Sequence, residues 1–283
     1  MKRLVQLMFL KACALVLLSA VAGFATCASG SDELDHAYRS MYNRDFLTAR
    51  RQLQVWEQSH PGEPLGPVSE AASYLFAELD RLGSLQSQLF VDNQRFETRK
   101  QLAPDIQTKS LFEGAINQAI ALAAKRLADD PNSAPAMLSE TFAYGLEADY
   151  AALIEKRDML ALSYVKQGRR WAETTIASDP TCYDAYLALG VENYLLGIKP
   201  PVVRVFLRFG GAHVDKEKGI DQLQVTAEKG QLLKPFAKLL LAVAALRDQD
   251  LAKARKLLEG LKEEFPGNPL YDQELARLES KPL

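Results

Sequence analysis

The stretch of sequence from Asp248 to Pro269, DQDLAKARKLLEGLKEEFPGNP, determines the kind of fold that we expect. Its apolar residues are spaced by three and four positions, at Leu251, Ala254, Leu258 and Leu261. This spacing is typical of an α-helix that buries one face. Pro266 ends the helix, because proline has no amide hydrogen for the helical hydrogen-bond ladder. The stretch therefore predicts a polar turn, an amphipathic helix and a second turn.

A pattern of three residues from this stretch occurs four times along the chain. It consists of a small residue, a packing residue four positions later and a proline twelve positions after the small one. The four sets are Ala49, Leu53 and Pro61; Ala119, Ala123 and Pro131; Gly168, Ala172 and Pro180; and Ala254, Leu258 and Pro266. The small residue lets a neighbouring helix approach, and the residue four positions later lies on the same helical face. We therefore predict a series of helical hairpins.

The spacing of the four prolines shows that this series is irregular. They are separated by 70, 49 and 86 residues, whereas identical hairpins would give regular intervals. We expect inserted segments at residues 84–103 and 197–215. No stretch shows the sustained alternation of apolar and polar residues that indicates a strand. The predicted fold is all-α, an irregular right-handed solenoid of helical hairpins with a concave surface.

Three segments resemble the tetratricopeptide repeat, a helical hairpin. The run AYLALGVENY from Ala185 to Tyr194 resembles the first helix of that repeat, and residues 43–49 and 248–254 resemble its turn and second helix. The pattern and the resemblance together assign hairpin packing to Ala49, Leu53, Ala119, Tyr186, Leu189, Gly190, Ala254 and Leu258. We expect a large side chain at Gly190 to separate two helices, and alanine to cost much less there because it improves helix propensity.

A narrower resemblance covers residues 180–270. The runs LGVENYLL from Leu189, KPP from Lys199, FLRFGG from Phe206 and DKEKGIDQL from Asp215 are similar to the tetratricopeptide repeat 39 or inclusion-body clearance family. The resemblance implies a helical-repeat protein without catalytic residues. It does not imply the same partner, because the N-terminal sequence indicates a different compartment.

The first 25 residues have the pattern of a secretory signal peptide. Lys2 and Arg3 precede an apolar core from Ala12 to Ala22, which is too short to span a bilayer. Small residues at Gly23 and Ala25 suit cleavage after Ala25. We predict a signal peptide over 1–25, a polar linker over 26–31 and one helical-repeat domain over 32–283. The alternative is an uncleaved N-terminal anchor helix.

Two cysteines would remain after removal of the signal. A lipoprotein signal places a cysteine directly after a small residue and three positions after an aliphatic one. Cys27 follows Thr26 and lies three positions after Phe24, and both residues fit these positions poorly. Anchoring through a lipid on Cys27 is therefore the alternative to a periplasmic or secreted location. Cys182 lies in a helical pattern, and we expect it to be a small buried apolar residue.

The composition and the motifs give no indication of an enzyme. The chain has 283 residues, of which 48% are hydrophobic and 25% charged, and a net charge of −2 that argues against nucleic acid as a partner. No G-x-S-x-G motif or phosphate-binding loop is present, and the three histidines lack metal-ligand spacing. We predict no catalytic residue, metal or cofactor.

The segment from Val202 to Phe209 is apolar except for Arg204 and Arg208, which share one helical face. It is interpreted either as a short core helix whose arginines reach the surface, or as a docking helix for a partner or a membrane surface. In the second interpretation, Arg204 and Arg208 contact the partner.

The function predicted from these features is that of an exported, non-enzymatic scaffold that binds a protein or peptide on its concave face. Two alternatives remain open. The first is a membrane-associated, lipidated assembly factor of the cell envelope. The second is an enzyme or small-molecule binder whose motif the sequence does not show, and a buried pocket with converging polar groups would favour it.

Overall fold

The computed structural model describes residue 27 and residues 32–85, 98–199, 204 and 214–280. Within these ranges every regular element is a helix and none is a strand. This confirms the prediction of an all-α fold. The proposed signal peptide and all of the proposed linker except Cys27 lie outside the described residues, as do most residues of the two predicted insertions.

The described ranges contain eleven α-helices. They are α1 (Asp32–Tyr42), α2 (Phe46–Ser59), α3 (Leu65–Arg81), α4 (Ile106–Asp129), α5 (Ala134–Asp149), α6 (Asp158–Ser178), α7 (Tyr186–Gly197), α8 (Lys216–Lys229), α9 (Lys234–Arg247), α10 (Leu251–Glu264) and α11 (Pro269–Glu279). A π-helical turn from Tyr150 to Ile154 extends α5, and a 3-10 turn from Tyr183 to Ala185 precedes α7. Each helix packs against the next one along the chain.

The pattern of small residue, packing residue and proline falls on α2, α4, α6 and α10. Each of these helices ends two residues before its proline, at Ser59, Asp129, Ser178 and Glu264. The small residue and the packing residue of every set are buried. The pattern therefore identifies helices that pack through a closely approached face and then end at a proline turn.

Aspartates begin several helices by accepting a hydrogen bond from the backbone N–H three residues later. Asp45 starts α2, Asp105 starts α4, Asp215 starts α8 and Asp250 starts α10 in this way, with N–H to carboxylate distances of 2.7–3.1 Å. Each carboxylate satisfies a donor that the helix itself leaves unpaired and also favours the positive end of the helix dipole.

Two glycines, Gly190 and Gly219, allow helices α7 and α8 to approach each other closely. A Cβ atom added at Gly219 would lie 2.9 Å from the carbonyl oxygen of Gly190 and even closer to the backbone nitrogen of Tyr194. A Cβ atom at Gly190 would lie 2.9 Å from Cγ and 3.0 Å from the backbone nitrogen of Leu223. Even alanine at Gly190 would therefore require the Leu223 side chain or α8 to shift, and the expectation that alanine costs much less there than a large side chain stays a prediction.

The two ends of the helical array are in contact. The Tyr42 hydroxyl at the end of α1 donates to the Leu232 carbonyl oxygen at 2.8 Å, and the Tyr42 ring packs on Phe265. The Asn43 side chain accepts from the Gly267 N–H, and the Asn268 side chain donates to the Tyr42 carbonyl. An open solenoid makes contacts only between neighbouring repeats. In this chain, the first helix also contacts the segments that flank α9 and α10.

A disulfide bond joins Cys27 to Cys182, 155 residues apart in sequence. Both cysteines are buried, with 5% and 1% of their surface exposed. The expectation that Cys182 is only a small apolar residue is therefore corrected, because its sulfur forms a covalent cross-link. The bond attaches the segment before α1 to the turn between α6 and α7.

We predict that Gly219→Ala destabilises the protein by about 3 kcal/mol, because a methyl group would separate α7 and α8 at a backbone contact. Gly190→Ala should be destabilising to a smaller extent, since part of the contact there is the end of the Leu223 side chain. Urea denaturation monitored by circular dichroism measures both effects.

The matched control for these variants is Gly260→Ala. Gly260 lies within α10, and nothing comes within 4 Å of a Cβ atom added there. This variant should stabilise the protein by up to about 1 kcal/mol through helix propensity. Equal unfolding midpoints for Gly219→Ala and Gly260→Ala would show that α7 and α8 do not approach as closely as described.

Candidate binding cavity

A cavity of about 410 Å³ lies where the two ends of the array meet. It is bounded by α1, by the loop between α8 and α9 with the first residues of α9, and by the end of α10. The lining residues are Asp35, Tyr38, Arg39, Tyr42, Lys229, Gly230, Gln231, Leu232, Lys234, Pro235, Glu264 and Phe265. A volume of this size suits a small molecule or one or two residues of a peptide.

Aromatic and aliphatic side chains form the buried part of the lining. Phe265 and Leu232 are each 1% exposed and Tyr38 is 4% exposed. The Tyr38 hydroxyl is paired with Ser69 Oγ at 3.0 Å, so it is not available to a ligand. The rings of Tyr42 and Phe265 lie 5.2 Å apart in a tilted arrangement. Because Phe265, Leu232 and Tyr38 are already covered by the protein, only the half-buried Tyr42 among these side chains retains surface that a ligand could contact.

Charged side chains form the more exposed part of the lining. Glu264 is paired with Lys238 at 2.8 Å, and Arg39 lies 4.0 Å from the same carboxylate and 5.4 Å from the Phe265 ring centre. Lys229 has only an aromatic neighbour, the Tyr183 ring at 5.4 Å. Within the described part of the chain, neither Lys229 nor Lys234 forms an ion pair with a carboxylate.

The loop between α8 and α9 is positioned by a single carboxylate. Asp184, in the turn before α7, is 4% exposed. Its two oxygens accept the backbone N–H groups of Gln231, Leu232 and Leu233 at 3.0–3.2 Å. Burial raises the pKa of Asp184, while the three N–H groups and the charge of Lys234 oppose that rise. The carboxylate thus satisfies donors just before α9 that would otherwise be unpaired.

The disulfide holds the same turn from the other side. Cys182 lies two residues before Asp184, and Cys27 lies five residues before the start of α1. Both elements that line the cavity, α1 and the loop near Leu232, are therefore attached to the turn from Cys182 to Ala185. Thr226 in α8 adds a further link, because its hydroxyl donates to the Tyr183 carbonyl oxygen at 2.8 Å.

The sequence analysis does not identify the residues that form the cavity or hold its elements in place. Two cysteines left in an exported chain are a signal for a disulfide, since an oxidising compartment favours pairing. Asp184 and Tyr42 carry no such signal, because their partners lie 47–49 and 190 residues away. Lys229 and Lys234 lie on either side of a short loop and have no motif around them.

The eight residues that were predicted to pack between helices are all buried except for one. Seven of them are buried: Ala49, Leu53, Ala119, Leu189, Gly190, Ala254 and Leu258. Tyr186 is half-buried at the start of α7, where its hydroxyl lies 3.5 Å from the Pro180 carbonyl oxygen. None of the eight lines the cavity.

Of the two predicted partner-binding arginines, Arg204 is not among the described residues that line the cavity. Arg204 is half-buried and helical, and Arg208 lies outside the described residues. Because Arg204 is the only described residue from 202 to 209, contact of that segment with a membrane or a partner stays a prediction. None of the helices in the described ranges combines the length and the apolar composition that a membrane span needs.

A buried carboxyl group on α5 lies apart from the cavity lining. Glu140 is 4% exposed, and its Oε2 atom has no hydrogen-bond partner. Burial raises the pKa of Glu140 to about 7, because the charged form loses its hydration. No group of three or more metal-binding side chains occurs within the described residues, so Glu140 is not part of a metal cluster there.

Comparison with known proteins adds no further assignment. No family model, curated protein or solved structure matches the chain.

We predict that Asp184→Asn destabilises the protein by about 2–3 kcal/mol, because an amide nitrogen would replace an acceptor and face a backbone N–H. The control is Asp179→Asn in the same turn. Asp179 accepts the Thr181 N–H at 2.9 Å in an exposed position, where asparagine serves equally well. Urea denaturation compares the two variants. A similar, small decrease in the free energy of unfolding for both variants would show that Asp184 does not hold the loop between α8 and α9 in place.

Proposed function

We propose that this chain is an exported, disulfide-linked helical-repeat protein that binds a peptide or protein partner. The observation that carries the proposal is the cavity between the two ends of the array, with its aromatic wall and its charged rim. Aromatic groups cover an apolar side chain of the partner, and charged groups at the edge favour a partner that has polar or oppositely charged groups at the matching positions. The partner would therefore reach α1 and the loop before α9 at the same time.

The disulfide supports the proposed export. A buried disulfide persists in oxidising compartments and is rare in the cytosol. In the proposed mature protein, cleavage after Ala25 leaves Cys27 near the new N-terminus and removes Cys13 with the signal. The sulfur of Cys27 cannot carry a thioether-linked lipid while it is bonded to Cys182. The disulfide thus favours a soluble location in the envelope or outside the cell over the lipid-anchored alternative.

The lining of the cavity favours binding over catalysis. The twelve lining residues in the described part of the chain include no histidine, cysteine or serine, so these twelve do not supply the usual pair of nucleophile and base. Arginine and tyrosine, which both occur in the lining, are enriched in recognition sites. We therefore propose a non-enzymatic scaffold.

The proposed architecture is an irregular right-handed solenoid related to the tetratricopeptide repeat. The support is the sequence of helix pairs α1–α2, α3–α4, α5–α6, α7–α8 and α9–α10. The second helix of every pair except α7–α8 is followed by a turn that contains proline. Helix α11 would then cover the last pair. Contact between the ends distinguishes the proposed array from an open solenoid.

Site-specific photocrosslinking tests the partner proposal. A photoreactive benzoylphenylalanine at Gln231, which is exposed and lines the cavity, should capture a defined envelope protein when cells are irradiated. The same group at Lys256, an exposed position on α10 outside the lining, is the matched control. Mass spectrometry identifies the products. Products that are identical at both positions, or absent at Gln231, would contradict binding at this cavity.

Thiol labelling and intact mass test the proposed export and cross-link. The exported protein should begin at Thr26, carry no lipid and take up no alkylating reagent when it is unfolded without reductant. After reduction it should take up two equivalents, because Cys27 and Cys182 are then the only thiols. A lipid on Cys27 with one free thiol at Cys182 would establish the alternative, the lipid-anchored protein.

A further inference from the structure

The apolar core of the described protein consists of separate clusters. The first contains residues from α1 to α7, together with Cys27, Cys182 and Leu232, whereas another lies within α9, α10 and α11. The Tyr42 side chain packs against both of these clusters, and the cavity of about 410 Å³ lies beside it. Closely packed protein interiors contain few voids of that size. The contact between the two ends of the array is therefore a seam with incomplete packing.

Individual hydrogen bonds and two aromatic pairs hold this seam. The hydrogen bonds of Tyr42, Asn43 and Asn268 each join a side chain to the backbone across the seam, and they are exposed or only partly buried. The ring pairs are Tyr42 with Phe265 at 5.2 Å and Phe76 with Phe236 at 5.7 Å. Each hydrogen bond contributes little by itself, because water offers similar partners in an open form. Such a contact can open locally while the helix pairs stay folded.

The disulfide acts on the same seam through the turn from Cys182 to Ala185. Cys182 is bonded to Cys27, which lies five residues before α1. Asp184 in that turn holds the loop that contains Leu232, and the Leu232 carbonyl oxygen accepts from Tyr42. A cross-link over 155 residues removes many arrangements in which α1 and this loop are apart. The disulfide therefore favours the closed seam over an open one.

Both cysteines are almost inaccessible while the seam is closed. Cys27 is 5% exposed and Cys182 is 1% exposed. A thiolate can exchange with a disulfide only when it reaches one of the two sulfur atoms. Cys182 belongs to the same apolar cluster as Leu232, so movement of the loop would uncover part of the surroundings of the disulfide. Access to the disulfide and opening of the seam are thus linked.

We propose that oxidation of Cys27 and Cys182 closes the array, and that their reduction lets the two ends separate while the helix pairs stay folded. In closure, the two protein thiols become one disulfide, and a disulfide donor takes up two electrons and both protons to become two thiols. Opening is the reverse reaction, with an external dithiol as the electron donor. The cavity, which both ends form together, then exists only in the oxidised protein. This inference does not depend on what the cavity binds.

Energy transfer between two fluorophores measures closure on the purified exported protein. Azide-bearing residues in place of His36 in α1 and Glu263 in α10, both exposed, carry the dyes across the seam without using cysteine. The matched control pair replaces His36 and Gln118, an exposed residue of α4 on the same side of the seam. A phosphine reductant should lower energy transfer for the first pair and leave the control pair unchanged. Unchanged transfer for the first pair would overturn the proposal.

A double variant separates the effect of the cross-link from that of the reductant. Cys27→Ala with Cys182→Ala should give the low energy transfer of the reduced protein without any reductant. Circular dichroism should show that the helices are retained. Loss of the helical signal, or an equal decrease for both dye pairs, would show that the disulfide supports the whole fold rather than closure, and this result would also overturn the proposal.

Closure must in turn favour the disulfide, because coupling between two equilibria is reciprocal. Tyr42→Phe removes the hydroxyl group that donates to Leu232. In glutathione buffers, the equilibrium constant for oxidation should fall about two- to tenfold in this variant, the range that one hydrogen bond provides. The control Tyr74→Phe removes a hydroxyl that donates to Glu70 within α3 at 3.2 Å, and the constant should not change. Equal constants for Tyr42→Phe and Tyr74→Phe would contradict the coupling of closure to oxidation.

Discussion

The carboxylate of Asp184 fixes the loop between α8 and α9, and the contact between the ends of the chain depends on that loop. Three backbone N–H groups before α9 would lack partners without it, because the first amides of a helix have no intrahelical acceptor. With the loop in place, the Leu232 carbonyl oxygen is positioned to accept from Tyr42 in α1. A buried acid is costly by itself, and the three hydrogen bonds offset that cost.

Contact between the ends changes what the terminal helices require. Each end of an open array needs a polar outer face, since no further repeat covers it. In this chain Tyr42 packs on Phe265, and Phe76 of α3 packs edge-on against Phe236 of α9 at 5.7 Å. Apolar surface at one end thus covers apolar surface at the other. The same arrangement creates a cavity that neither end forms alone.

The helices could be predicted from the sequence because their determinants are local. The small residue, the residue four later and the proline identify where α2, α4, α6 and α10 pack and end, and aspartate at the first position marks several starts. Contacts between distant residues could not be predicted in this way. Nothing near Tyr42 indicates Leu232, and nothing near Gly219 indicates that the Gly190 backbone lies against it.

The candidate site depends almost entirely on such distant contacts. Its lining comes from α1 and from residues 229–265, which the sequence separates by nearly two hundred positions. The segment that sequence reasoning selected, 202–209, was chosen for its composition, whereas the cavity residues have ordinary surroundings in the sequence. Lysines on both sides of a short loop become notable only when the loop position and the nearby aromatic wall are known.

The long span of the disulfide has a consequence for biosynthesis. A chain emerges with its N-terminus first, so Cys27 is exposed for the time needed to make 155 further residues. During that interval its thiol has no partner in the mature chain. If Cys13 is removed with the proposed signal peptide, only one intramolecular pairing exists once Cys182 emerges, and no shuffling among alternatives is required. Oxidation therefore becomes possible only after more than half of the molecule has appeared, when the turn that receives Cys27 is present.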